Sequence, residues 1–258
     1  MATVTLEQRV PATTDQIWHA VATTEGMARW QADEVKGVVA PHRSVEHRWP
    51  HLGVSIAVKV VEVRPKHRLT FALQSQELVV EVEAGRVVLE HRGLMPGDEA
   101  EGTAASWRVS LGLLRQYLQY HPGRQRRVTW LVRRIATTAQ VLHAFGTDAH
   151  LLRSWLTRAG AIDAQGSEVA LDLAWGSPLT GTVLANTPGR DLAISWSEQD
   201  QSALVLRTLP APFAEHERLV LLGWSQWGES AVDENPIRGE LEAALDRLRR
   251  ALTSVGVS

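Results

Sequence analysis

The sequence predicts an α+β protein made of two tandem copies of one domain, and three observations carry that prediction. The twelve residues Ala12–Thr23, ATTDQIWHAVAT, return at Ala136–Thr147 as ATTAQVLHAFGT, with seven positions identical. A repeat spaced by half the chain signals two domains, since solenoid units are only ~20–50 residues long. The middle of each half alternates apolar and polar residues, and each half closes on an apolar stripe with helical spacing. The 258 residues suffice for two such domains, each with a core of its own.

In the first half, Val4, Leu6 and Val10 alternate with Thr3, Thr5, Glu7 and Arg9, the pattern of a half-buried strand. Thr13 to Gln16 then form a capping box: the Thr13 hydroxyl reaches the Gln16 backbone and the Gln16 side chain reaches back. Thr137 to Gln140 predict the same box in the second copy. Ile17, Trp18 and Val21, followed by Met27 and Trp30, predict two short helices broken near Thr23–Gly26. Trp155 repeats Trp30 with one extra residue before it. Alternation next predicts strands carrying Val45, His47 and Trp49; Ile56, Val58 and Val60; Leu69, Phe71 and Leu73; Leu78, Val80 and Val82; and Val87, Leu89 and His91. Together they make an antiparallel meander with one wet face. Met95–Ser106 reads as a loop, and Trp107, Leu111, Leu114 and Leu118 as a helix ending before His121-Pro122-Gly123.

The second half repeats the order. Trp130 and Val132 mark its first strand, ahead of the repeated helix pair. Glu168–Trp175, Thr180–Asn186, Asp191–Trp196, Ala203–Leu209 and Arg218–Trp224 read as strands. Asn235 caps a helix with Pro236 at its first position, and Ile237, Leu241, Leu245, Leu248, Leu252 and Val255 form its stripe. Residues 1–122 and 128–258 are the expected domains, with 123–127 as the linker.

This order of strand, helix pair, antiparallel sheet and long helix resembles the helix-grip plan. Residues 1–122 are similar to the SRPBCC superfamily of START-like and polyketide cyclase-like proteins, most of all to the branch of homologues of the activator of the heat-shock protein 90 ATPase. The helix pair leading to Trp30, Val60–Leu73, Leu89–Leu94 and Trp107–Leu118 carry the likeness. It implies two START-like domains, each a curved sheet wrapped around its C-terminal helix, and a small hydrophobic ligand such as a lipid, hormone or polyketide. It also implies two alternatives, a didomain polyketide aromatase/cyclase-like enzyme and a chaperone-binding homologue. The activator's separate chaperone-binding domain has no expected counterpart in these residues, which sets chaperone binding behind ligand binding.

Composition excludes other classes. With no cysteine there are no disulfides and no thiol chemistry, and a net charge of −2 supplies no broad field for nucleic acid. Neither a leader pattern nor an apolar run of ~18 residues is present, so membrane insertion is not expected and a cytoplasmic protein is. No phosphate-binding glycine loop, dinucleotide fingerprint, HExxH or GxSxG occurs, and no cofactor is expected. His47–His51, HRWPH, is too sparse in partners for a metal site. The repeated His19 and His143 read as packing residues, and Arg124 to Arg134 as solvated charge.

Alternation also selects cavity candidates. With Glu46, Arg48, Glu90 and Arg92 facing water, His47, Trp49 and His91 turn inward alongside Phe71. In the second domain Leu171, Leu173, Trp175, Ile194 and Trp196 turn inward, a set with few polar groups. The first domain is therefore the expected binding domain.

Overall fold

A computed structural model describes residues 1–211, 214–228 and 234–254, except the side chains at 215 and 234–236. The chain divides into two compact units, Met1–Arg126 and Arg127–Ser258.

The first unit runs β1 (Ala2–Arg9), α1 (Thr14–Ala22), α2 (Thr24–Ala28), β2 (Glu34–Gly37), β3 (Ser44–Trp49), β4 (Val54–Arg64), β5 (Arg68–Leu73), β6 (Gln76–Glu83), β7 (Arg86–Leu94) and α3 (Asp98–Tyr120). Its seven strands form one antiparallel sheet in the order β1-β7-β6-β5-β4-β3-β2. The second unit runs β8 (Gln125–Ala136), α4 (Ala139–Thr147), α5 (Ala149–Arg153), β9 (Thr157–Ala159), β10 (Glu168–Leu173), β11 (Leu179–Thr187), β12 (Asp191–Trp196), β13 (Ser202–Ala211), β14 (Ala214–Gly228) and α6 (Glu234–Ser254). Its sheet has the matching order β8-β14-β13-β12-β11-β10-β9.

The repeated peptide does the same physical work in both units. Thr13 Oγ1 accepts from Gln16 N at 3.3 Å while Thr13 N donates to Gln16 Oε1 at 2.9 Å, closing the capping box that starts α1. The helix pair is broken where Thr23 Oγ1 donates to the His19 carbonyl at 2.8 Å and accepts from Gly26 N. Thr147 makes the equivalent bond to the His143 carbonyl at 2.9 Å. The two tryptophans complete the repeat: Trp30 Nε1 donates to the Ala20 carbonyl at 3.0 Å, and Trp155 Nε1 to that of Phe145 at 2.8 Å. The extra residue of the second copy is absorbed by shifting the acceptor one residue along the helix.

The sheets also share a defect. Between β4 and β5 the register skips Val61, and between β11 and β12 it skips Leu184; Val60 faces Phe71 and Val183 faces Ile194 just before each bulge. This aligns the two inner faces residue by residue. The row Val60, Phe71, Leu78, His91 corresponds to Val183, Ile194, Leu204, Trp224.

Several expectations are corrected. Met95–Ser106 is largely helical, because α3 starts at Asp98. Asp98, Glu99 and Glu101 occupy its first turn, where the helix dipole favours acids. In the second unit Thr138, not Thr137, is the cap and accepts from Val141 N. Thr137 N is held by the His216 carbonyl, so strand pairing persists one residue further. On β8 the buried residues are Thr129, Leu131 and Ile135. Trp130 lies instead over Gly223, where a Cβ would come within 2.4 Å of the indole ring. The short edge strands β2 and β9 carry no alternation long enough to read. On α6, Leu241, Leu245, Leu248 and Leu252 enter the core with Ile237 packed against them. The side chains of Asn235 and Pro236, and Val255, lie outside the described residues.

Candidate functional site

Charged pairs, most of them cross-strand, line the face of the first sheet turned toward water. Arg92 bridges Glu77 at 2.8 Å and Glu90 at 2.6 Å, Arg68 meets Glu81 at 2.9 Å, and Arg86 meets Glu7 at 3.1 Å. Pleating turns the alternate residues to the other face, where Val45, Val60, Leu69, Phe71, Val80 and Leu89 are buried. His47 and His91 are both on this face, 4% and 9% exposed. They sit on strands at different places in the sheet and do not bond each other.

His91 is fully partnered. Trp107 Nε1, from α3, donates to its Nδ1 at 3.2 Å, and its Nε2 lies 3.0 Å from Gln76 Oε1. An indole N–H can only donate, so Nδ1 is the acceptor and Nε2 carries the proton given to Gln76. Gln76 passes the chain on, its Nε2 donating to Glu99 Oε1 at 2.8 Å, and the Met95 backbone N–H donates to Glu99 Oε2. Burial lowers the His91 pKa, and the Glu99 carboxylate opposes that shift. Gln76 and Glu99 did not stand out in the sequence, and Trp107 stood out only as the first residue of a helical stripe. Gln76 precedes the readable alternation of its strand, and Glu99 fell in a presumed loop.

His47 is the opposite case. It faces Val35 on β2 and Ile56 on β4, its ring stacks near Trp49 with centroids 6.3 Å apart, and its buried Nδ1 has no hydrogen-bond partner among the described residues. Burial pushes its pKa down to about 4, so at neutral pH it is an uncharged imidazole with unused hydrogen-bonding capacity. Close by, His51 Nδ1 meets Asp33 Oδ2 at 2.8 Å. Among the described residues, no group of three or more His, Asp or Glu side chains is placed to hold a metal.

The second unit replaces this chemistry. The six-residue strands β3 and β10 place Leu171 where the first unit has His47, and the bulge register places Trp224 opposite Leu204 where it has His91. Trp196 is fully buried, while Trp175 lies beyond the end of β10, only partly buried against the core. One hollow is lined by Leu142, His143, Arg190 and Asp191, and another by Trp155, Ile194 and Leu204; each has room for about one water.

No family model and no curated protein matches the chain. Among solved structures it is similar to the Aha1 dimer from Colwellia psychrerythraea, at 18% identity over 48% of this chain and 100% of that one, with a TM-score of 0.44. It is similar to DynU16, a putative protein in the dynemicin biosynthetic locus, at 18% identity over 97% of each chain, with a TM-score of 0.41. CalU16 from Micromonospora echinospora is 22% identical over 50% of this chain and 82% of that one, with a TM-score of 0.40. No described helix is long and apolar enough to cross a membrane.

Proposed function

We propose that the first unit is a helix-grip module that binds a small, predominantly apolar molecule on the inner face of its sheet, beside α3, and that His47 supplies the polar contact. The observation that carries this reading is the contrast between the two inward histidines. His91 has two protein partners and is part of the framework, whereas His47 is as deeply buried with its Nδ1 unpartnered. Buried polar groups are normally satisfied, and a neutral imidazole flanked by Trp49, Val35 and Ile56 suits a ligand whose own polar group is uncharged. Trp49 and Phe71 are the apolar contacts of the proposed site, and Trp175 and Trp196 lie outside it, in the second unit.

The test is a screen of hydrophobic small molecules by tryptophan fluorescence, repeated with His47→Leu, His91→Ala and Trp175→Ala. His47→Leu, which installs the second unit's residue, is expected to weaken binding about tenfold, the value of one good hydrogen bond. Trp175→Ala is expected to leave binding unchanged. Binding that survives His47→Leu but is lost with Trp175→Ala would place the site in the second unit and overturn the assignment.

A further inference from the structure

The hydrogen bonds around His91 form a clamp that α3 enters twice, at Trp107 and, through Gln76, at Glu99. Glu99 also accepts the Met95 backbone N–H at 2.6 Å, which fixes the turn leading into the helix, and no side chain caps α3 at Gly97. The clamp holds a segment that the core does not. The first buried residue of α3 is Ala105, and the stretch before it contains Gly102, which weakens a helix interior. Further along, Val109, Leu111, Leu114 and Leu118 anchor the helix in the core. The start of α3 is therefore a low-stability end tied to the sheet through one titratable ring.

That ring fits its partners in one protonation state only. An indole N–H donates and has no lone pair to offer, so a proton on His91 Nδ1 sets two N–H groups against each other across 3.2 Å, while Nε2 keeps its bond to Gln76. Val4 on β1 and Leu78 on β6 lie opposite His91 and carry no charge, and its neighbours Glu90 and Arg92 pleat to the wet face and pair with each other. The charged group acting on His91 among the described residues is Glu99, which draws a proton toward the ring while burial resists it. We propose that His91 is an acid-sensitive latch on α3: taking up a proton at Nδ1 breaks the bond to Trp107 and releases the start of the helix, residues 98–107, from the sheet, while the part from Val109 stays docked. The released segment borders the face assigned above to the ligand, but the latch does not rest on that assignment. The second unit has no counterpart. Ser202 and Trp224 stand where the first has Gln76 and His91, and their side-chain polar atoms, like Trp196 Nε1, have no partner among the described residues.

The test is hydrogen exchange of the full chain between pH 8 and pH 5, without added ligand, corrected for the intrinsic pH dependence of exchange. Opening lets His91 return toward its ordinary value of 6.5, whereas the closed segment holds it lower. Protection of the amides at 101–107 is therefore expected to fall by up to tenfold per pH unit below about pH 6.5, while that of 109–118 holds. The Nε1–H signal of Trp107, labelled with nitrogen-15 and assigned from Trp107→Phe, is expected to move over the same range. His91→Gln supplies an acceptor for Trp107 and a donor for Gln76 but does not titrate, and is expected to abolish the pH response. Trp107→Phe removes the opposing donor and is expected to abolish it too, which keeps the test decisive if the glutamine variant does not fold. Protection at 101–107 that is independent of pH, that falls equally in His91→Gln, or that is lost together with 109–118 overturns the latch.

Discussion

At the residue scale, His47 couples stability to acid in a way that a partnered histidine does not. Its folded pKa of about 4 lies below the ordinary value of 6.5. Between those values the unfolded chain binds a proton that the native chain refuses. The stability associated with neutral His47 is therefore complete above about pH 6.5 and is lost as pH falls toward 4, by an amount on the order of 3 kcal/mol. His91, also lowered by burial, adds to the same acid slope. His47→Leu removes a buried unsatisfied group for a side chain of similar volume, so we expect it to be about 1–3 kcal/mol more stable at pH 7 and to have a shallower acid slope. Denaturant unfolding at pH 7 and pH 5 measures both quantities. A less stable variant would show that Nδ1 has a partner in solution.

At the element scale, the two helix pairs allow a matched comparison. Thr13→Ala removes the hydroxyl arm of a capping box, leaving the residue-13 N–H on Gln16 Oε1, and is expected to cost about 1 kcal/mol. In the second unit the same cost should appear for Thr138→Ala, because Thr138 holds Val141 N. Thr137→Ala should be close to neutral, since that hydroxyl is buried with no partner among the described residues. Equal effects at Thr137 and Thr138 would contradict the shifted cap. On α6, Leu245 is 1% exposed within the second core, and Leu245→Ala is expected to cost ~2–5 kcal/mol by opening a cavity there. An unchanged melting temperature would mean that α6 does not pack on that sheet.

At the scale of the whole molecule, the stretch between the two units carries the prediction. Pro122 to Arg124 are exposed and join α3 to β8, with Arg124 within reach of trypsin. We expect limited trypsin digestion to cut at Arg124–Arg127 or not at all, as expected of a linker between separately cored domains. Two stable fragments cut elsewhere would refute the boundary.

The sequence by itself determined the longer elements and their faces, though not β2, β9 or the start of α3, because period-two alternation and helical stripes are local consequences of which side of each element is buried. Ala12–Thr23 and its copy determined the helix pairs down to the Thr13 cap, and alternation placed His47, Phe71 and His91 on the buried face. Only the tertiary structure decided what those residues do. That His91 is bonded by Trp107 and Gln76, while His47 Nδ1 has no partner among the described residues, depends on which side chains other strands and α3 bring into hydrogen-bonding reach. The same holds for Thr138 displacing Thr137 as the cap, which follows from a backbone bond to His216. It holds too for Trp196, Ser202 and Trp224, whose unmet hydrogen bonds emerge only when strand register sets them on one face. Partners distant along the chain leave no periodic trace in it, so neither hydrogen-bond satisfaction nor its absence can be read before the strands are paired.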